Sequence, residues 1–282
     1  MLDAHERQAL YHLITKGRPC QDNGAPLGRT VWNTVCAALM SSDPNATTLA
    51  SQGFLTQFVQ VDRVPSERLN ELGSKSFWIA LCQREHLPMP ETLLTCTNGT
   101  KVLHGVLNDD ESYIFKPDAS WGGRGVRIIT GAEARQLPCS EDYSIQQRLS
   151  DCTTGGKARS FRVITLYNGS MFKMYSVQAQ TTRLTSNFGV AKACAATACN
   201  IPVQGMEALQ RLAVRLAHVH RQRLGDLFCV GWDCMIDCSD EGITVYVLEG
   251  NIFCSALLGD ATLQDAAEFK TYALNYERQM TP

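Results

Sequence analysis

The sequence has no apolar run approaching membrane-spanning length, and its first ten residues are polar, with no apolar signal-peptide core. Those two absences predict an intracellular, cytoplasmic protein with no membrane partner. No run of Lys or Arg stands out and the net charge is only -2, so nucleic acid is not an expected partner either. No Gly-Lys-Ser/Thr follows the glycine-rich stretch, which excludes a Walker P-loop there. No Cys-x-x-Cys occurs among the twelve cysteines, and in a chain of 282 residues without export these read as free thiols rather than a disulfide framework. Cys229, Cys234 and Cys238 lie among Val, Trp, Met and Ile, and read as small buried hydrophobes in preference to zinc ligands. What remains, 44% hydrophobic and 19% charged, is a globular chain long enough for one large domain or two smaller ones.

The most informative stretch is Tyr113 to Ile129. Two short apolar runs, Tyr113 to Phe115 and Val126 to Ile129, flank a loop in which Gly122, Gly123 and Gly125 surround Arg124, which predicts a β-hairpin. Because these glycines join two strands rather than open a helix, they do not form a dinucleotide fingerprint. Without Cβ atoms, successive N–H groups can converge on an anion, and Lys116 at the end of the first strand adds a point charge. This arrangement suits a phosphate; an ordinary glycine hairpin with a solvated lysine fits the stretch alone equally well.

Upstream, Leu10, Leu13 and Ile14, then Val31, Val35, Leu39 and Met40, give two helical stripes, Phe54 to Val61 a short strand, and Pro65 to Leu72 a short helix. Ser74 is placed to cap a helix carrying Phe77, Trp78, Leu81 and Cys82, which stops before Leu87-Pro88-Met89-Pro90 and an extended Thr92 to Thr95. Lys75 falls in its first turn, where a cation does not favour the helix dipole; by position alone it reads as solvated. Tyr143 to Leu149 reads as a strand, and Arg159 to Leu166 with Ser170 to Val177 as a hairpin about Asn168-Gly169. Arg162 then lies on one face of that sheet with Phe161 and Val163 on the other. Met206 to Leu224 reads as a long amphipathic helix on which His218 and His220, two apart, diverge.

Phe228 to Ile236 and Ile243 to Leu248 predict two antiparallel strands around the turn Asp237 to Gly242, bringing Asp233 toward Glu249. With Asn251 they offer the hard oxygen ligands that Mg²⁺ takes when shared with phosphates. Two exposed acids without a cation would repel one another, and a buried pair is costly.

In order and spacing these residues resemble an ATP-grasp carboxylate-amine ligase over Lys75 to Leu258. Phe228 to Asp237 followed by Val-Leu-Glu-Gly-Asn251 is similar to the tubulin tyrosine ligase branch, and Thr185 to Val190 resembles the RimK-type glutamate ligases. The resemblance implies an α+β ATP-grasp fold: a short, mainly helical region 1–72, then an ATP-grasp domain 73–282 whose subdomains, 73–145 with a glycine lid and 146–282 with a metal site, clamp ATP. It implies that Lys75, Lys116 and a lid at Trp121 to Val126 hold phosphates, that Arg124 and Arg162 serve the transferred group, that Gln146, Gln147 and Leu149 form the adenine hinge, and that Asp151 contacts ribose. Asp233, Glu249 and Asn251 would hold Mg²⁺, two ions, with Mn²⁺ able to substitute. The expected reaction joins a small-molecule or peptide carboxylate to an amine; a hydroxyl kinase, a protein-tail ligase and an idle nucleotide-binding module are the alternatives. Oligomeric state is left open, a homodimer included. The chain departs from the family pattern in having no proline after Asn251 and a preceding region too short for the usual α/β domain.

Overall fold

The ladder registers of a computed structural model place the described strands in two five-stranded antiparallel sheets. The structure describes residues 64–118, 120, 125–149, 159–167, 172–181, 194–195, 203–239, 242–252 and 275. The stripes near Leu10 and Val31, the strand at Phe54, the segments Ser150 to Ala158 and Thr185 to Val190, and the turn at Asn168-Gly169 lie outside the described residues.

Helix α1, Ser66–Leu72, leads through Gly73 into α2, Lys75–Arg84. The Ser74 hydroxyl accepts from Phe77 N–H at 3.3 Å, as its position before the apolar run predicts. His86, with φ 51°, turns the chain out of the helix before Pro88.

The first sheet has the order β2, β1, β5, β3, β4, from β1 (Thr92–Thr97), β2 (Thr100–Leu103), β3 (Ser112–Pro117), β4 (Arg127–Thr130) and β5 (Tyr143–Gln147). Between β4 and β5 a short helix α3, Gly131–Gln136, opens with a Thr130/Glu133 capping box. The predicted hairpin is present, with Tyr113 opposite Ile129 and Phe115 opposite Arg127. The sheet has two chemically distinct faces. Leu94, Cys96, Tyr113, Phe115, Tyr143 and Ile145 pack into one core, whereas the other face carries Thr92, Thr95, Lys116, Ser144 and Gln146.

The second sheet has the order β10, β9, β6, β7, β8, from β6 (Arg159–Tyr167), β7 (Phe172–Thr181), β8 (Cys194–Ala195), β9 (Cys229–Ser239) and β10 (Gly242–Asn251). The 21-residue helix α4, Val203–Arg223, buries Leu209, Leu212, Ala213 and Leu216 against it, while His218 is exposed and His220 buried. The same core takes Trp78, Leu81 and Cys82 from α2 and Phe161, Val163, Trp232 and Val247 from the strands. Cys229 and Cys234 are fully buried, as their apolar setting predicts. The free-thiol reading needs one correction: Cys96, on β1, and Cys139, in the loop before β5, form a disulfide with Cα atoms 6.1 Å apart. They are 43 residues apart in sequence and meet because Cys96 pairs with Tyr143 across the β1–β5 ladder.

Candidate active site

Three charged side chains of the second sheet stand in one row. Arg162 on β6 is the cross-strand partner of Asp233 on β9, and Asp233 is the partner of Glu249 on β10. The second pairing depends on a β-bulge: from Val247 to Glu249 the β10 chain advances two residues while β9 advances one, from Cys234 to Asp233. A regular strand would put Glu249 on the buried face with Val247. The extra residue, Leu248, reverses the alternation, so that Glu249 and Asn251 join Asp233 while Gly250 and Ile252 turn to the core.

Within the row Arg162 donates to both Asp233 oxygens, Nε to Oδ1 at 2.7 Å and an Nη to Oδ2 at 2.8 Å, and Asn251 Nδ2 donates to Oδ2 at 3.0 Å. This bidentate pairing fixes both planes. Among the described residues no hydrogen bond or ion pair is made to the Glu249 carboxylate. Burial raises its pKa, the Asp233 charge adds to the rise, and Lys116, Lys75 and Arg162 oppose it.

The lysines approach from the first sheet. Lys116 sits one residue before the end of β3, half-buried, with Nζ 3.5 Å from the carbonyl of the bulged Leu248. Burial lowers its pKa, Glu249 raises it, Lys75 lowers it and Asp233 raises it. Beside it on the polar face, the Ser144 hydroxyl and Gln146 Oε1 are buried with no hydrogen-bond partner among the described residues, and Gln146 Nε2 donates to Thr92 Oγ1 at 3.1 Å.

Lys75 corrects the reading from position alone: it is buried, not solvated. Its ammonium donates to the carbonyls of Pro117 at 2.9 Å and Ser120 at 2.7 Å and to the Ser120 hydroxyl at 3.0 Å, with the Asp118 carbonyl at 3.4 Å. Burial lowers its pKa, against the charges of Glu249 and Asp118. In return the Asp118 carboxylate accepts from Ser76 N–H at 2.7 Å and Ser76 O–H at 3.3 Å in the first turn of α2. The chain leaving β3 beside Lys116 is thereby tied to α2. Past the glycine loop, Gly125 has φ 73° and lies so close to Pro117 that an added Cβ would come within 2.8 Å of the ring.

Of the other expected site residues, Gln147 lies in β5 and Leu149 just beyond it, while Gly122, Gly123, Arg124 and Asp151 are outside the described residues. A cavity of about 750 Å³ beside the glycine loop is lined by Phe115, Pro117, Asp118 and Arg127 and does not include Asp233 or Glu249. Sequence reasoning missed Ser144, Asp118 and the Leu248 carbonyl. The polar pair Ser144 and Gln146, alternating within an otherwise apolar strand, was a usable signal for the first; a bulge leaves none.

Neither a family model nor a curated protein matches the sequence. Among solved structures, the chain is similar to D-alanyl-alanine synthetase A from Vibrio cholerae, at TM-score 0.50 and 13% identity over 83% of this chain and 74% of that one. An L-amino acid ligase from Bacillus licheniformis gives TM-score 0.45 at 13% identity, with 83% of this chain covering 54% of its length. A RimK domain protein ATP-grasp from Sphaerobacter thermophilus gives 0.42 at 13% identity, over 78% and 76%. The first of these carries the fold assignment: two antiparallel sheets with their helices form an ATP-grasp fold, of the α+β class that the sequence implies.

Proposed function

We propose that this chain, having the ATP-grasp fold, is an ATP-dependent ligase that activates a carboxylate as an acyl phosphate and joins it to an amine, releasing ADP and phosphate. The observation that carries the reading is the row Arg162, Asp233, Glu249, facing Lys116 across the Leu248 carbonyl. Three basic groups, Arg162, Lys116 and Lys75, and two acidic ones, Asp233 and Glu249, act on one another there without Glu249 closing an ion pair with either lysine. Such a gap suits an anion together with a cation. A carboxylate is a poor electrophile, so amide formation requires prior phosphorylation, and catalysis of phosphoryl transfer is mainly positioning and charge stabilisation.

In this reading Lys116 and Lys75 neutralise phosphates, and Gly122, Gly123, Arg124 and Gly125 cover them and exclude water. Gln146, Gln147 and Leu149 form the adenine hinge, with Asp151 at the ribose. Arg162 holds the transferred phosphoryl group while the amine attacks. Asp233, Glu249 and Asn251 would fit Mg²⁺, two ions, or Mn²⁺: they offer hard oxygen donors side by side on adjacent strands, and the Glu249 carboxylate has no hydrogen-bond partner among the described residues. Held by these residues, the cation would supply Lewis-acid neutralisation of phosphate charge.

The substrates we favour are a small amino acid or short peptide as the carboxylate and an amino group as acceptor. The catalytic unit is placed at 73–282, after a reduced preceding region at 1–72. No helix among the described residues is long and apolar enough to cross a membrane. The test is hydroxylamine trapping: purified protein with ATP, Mg²⁺, pooled amino acids and short peptides should form a hydroxamate and release phosphate. ADP without hydroxamate or free phosphate would point to a hydroxyl kinase instead.

A further inference from the structure

Glu249 and Asn251 are separated by a glycine whose need is not conformational. Gly250 faces inward, and a Cβ built on it would overlap the six-membered ring of Trp78 on α2. That ring cannot easily yield. Trp78 is 2% exposed, its Nε1 donates to the Leu72 carbonyl at 2.9 Å, and it meets Trp232 edge to face with centroids 5.5 Å apart. Trp232 is in turn the cross-strand partner of Gly250, so the indole that faces Gly250 is itself packed against its neighbour on β9 in the same core. One turn earlier, the same helix holds the chain that leaves β3, through Lys75 and Ser76.

We propose that Trp78 is a positioning residue: through its contact with Gly250 it sets where Glu249 and Asn251 stand relative to Lys116, and the α2 helix acts as the spacer between the two halves of the site. The inference rests on the reading of Asp233, Glu249 and Asn251 as cation ligands. A side chain at position 250 pushes β10 away from α2 and carries the residues on either side with it. Removing the indole leaves a void into which the strand shifts. Both changes act first on the ligand pair and not on the hinge strand β5, and Lys75 keeps its own anchors at the Pro117 and Ser120 carbonyls, so binding without metal changes far less than binding with it.

The test is a double-mutant cycle of Gly250→Ala and Trp78→Leu, reading affinity for a non-hydrolysable ATP analogue with and without Mn²⁺, with thermal melts as the control for folding. Each single variant should lose about 10-fold or more of the Mn²⁺-dependent affinity, the scale on which supports of metal ligands act, while the metal-free affinity stays within about 2-fold. The double variant, whose new methyl refills part of the void, should bind the Mn²⁺ complex more tightly than either single variant. If Gly250→Ala fails to fold, the comparison of the double variant with Trp78→Leu carries the same test. Singles that keep wild-type metal dependence, singles that lose metal-free and Mn²⁺-dependent binding equally, or a folded double variant no better than Trp78→Leu, would overturn the proposal. Absence of Mn²⁺-dependent binding in the wild-type protein would overturn the cation-site reading itself.

Discussion

Asp233 and Glu249 are cross-strand partners only because Leu248 is an extra residue in β10, and without that bulge the second carboxylate would point into the core beside Val247. The placement has a cost in stability, since burial and the neighbouring Asp233 both raise the Glu249 pKa. A raised carboxylate pKa contributes stability at low pH that is lost as pH rises through the folded value. Glu249→Gln, which mimics the protonated form, should therefore melt at a higher temperature than wild type at pH 7, with the gain shrinking toward pH 4. Its turnover should fall by about 10² to 10³. A less stable or fully active Glu249→Gln would contradict the assignment.

Arg162 supplies the paired positive charge for Asp233. Truncation to Met leaves a largely buried carboxylate facing Glu249, and should destabilise the fold by about 3 kcal/mol, measured by urea unfolding. Replacing both, Arg162→Met with Asp233→Leu, should recover much of that stability but no activity.

His220 is a second buried titratable group, unrelated to the reaction. Its Nε2–H donates to the Leu227 carbonyl at 3.0 Å, so Nδ1 must accept, from the Thr165 hydroxyl at 2.8 Å, which itself accepts from Trp232 Nε1 at 2.9 Å. Burial pushes its pKa down to about 4. Between that value and the ordinary 6.5 the unfolded chain binds the extra proton, so stability is complete above pH 6.5 and falls as pH drops toward 4, by on the order of 3 kcal/mol. Unfolding titrations at pH 7 and pH 4.5 should show this loss, and His220→Gln, though weaker at pH 7, should lack that share of the pH dependence.

The Cys96–Cys139 bridge spans 43 residues that include Lys116 and the glycine loop. By chain-entropy arguments its loss lowers stability by about 2 to 4 kcal/mol. Cys139→Ser should show that drop, and wild type in strong reductant should match it; equal stability with and without reductant would show the bridge to be inert.

The fold and half of the site were legible because their signals are local and periodic. Ser74 before Phe77 and Trp78 marks the start of α2; the apolar runs about the glycines mark β3 and β4; the 3.6-residue stripe from Met206 marks α4. Arg162 and Asp233 could be placed because strict alternation held along β6 and β9. What could not be read was tertiary. Lys75 looked solvated, since nothing in its own helix shows that the carbonyls of Pro117 and Ser120 fold back onto it. The cysteines looked unpaired, because Cys96 and Cys139 are joined by strand order rather than by spacing. Nothing in the sequence explained the glycine between Glu249 and Asn251, whose reason is the indole of Trp78.

Lys116 approaches Glu249 from the opposite sheet, and in the proposed reaction it shares phosphate neutralisation with Lys75. Lys116→Ala should remain folded and lose at least about 10² in turnover, the scale of one charged contact to the transition state. Near-normal turnover in that variant would remove Lys116 from the site.

The central claim is that a carboxylate oxygen, not a hydroxyl, receives the phosphoryl group. Incubating the protein with ATP, Mg²⁺ and pooled amino acids and short peptides carrying ¹⁸O in their carboxylates, then analysing the released phosphate by mass spectrometry, tests it directly. Acyl-phosphate chemistry predicts one ¹⁸O atom in the phosphate, lost together with the turnover in Lys116→Ala. Turnover with unlabelled phosphate, or with the phosphoryl group retained on the acceptor, would contradict it.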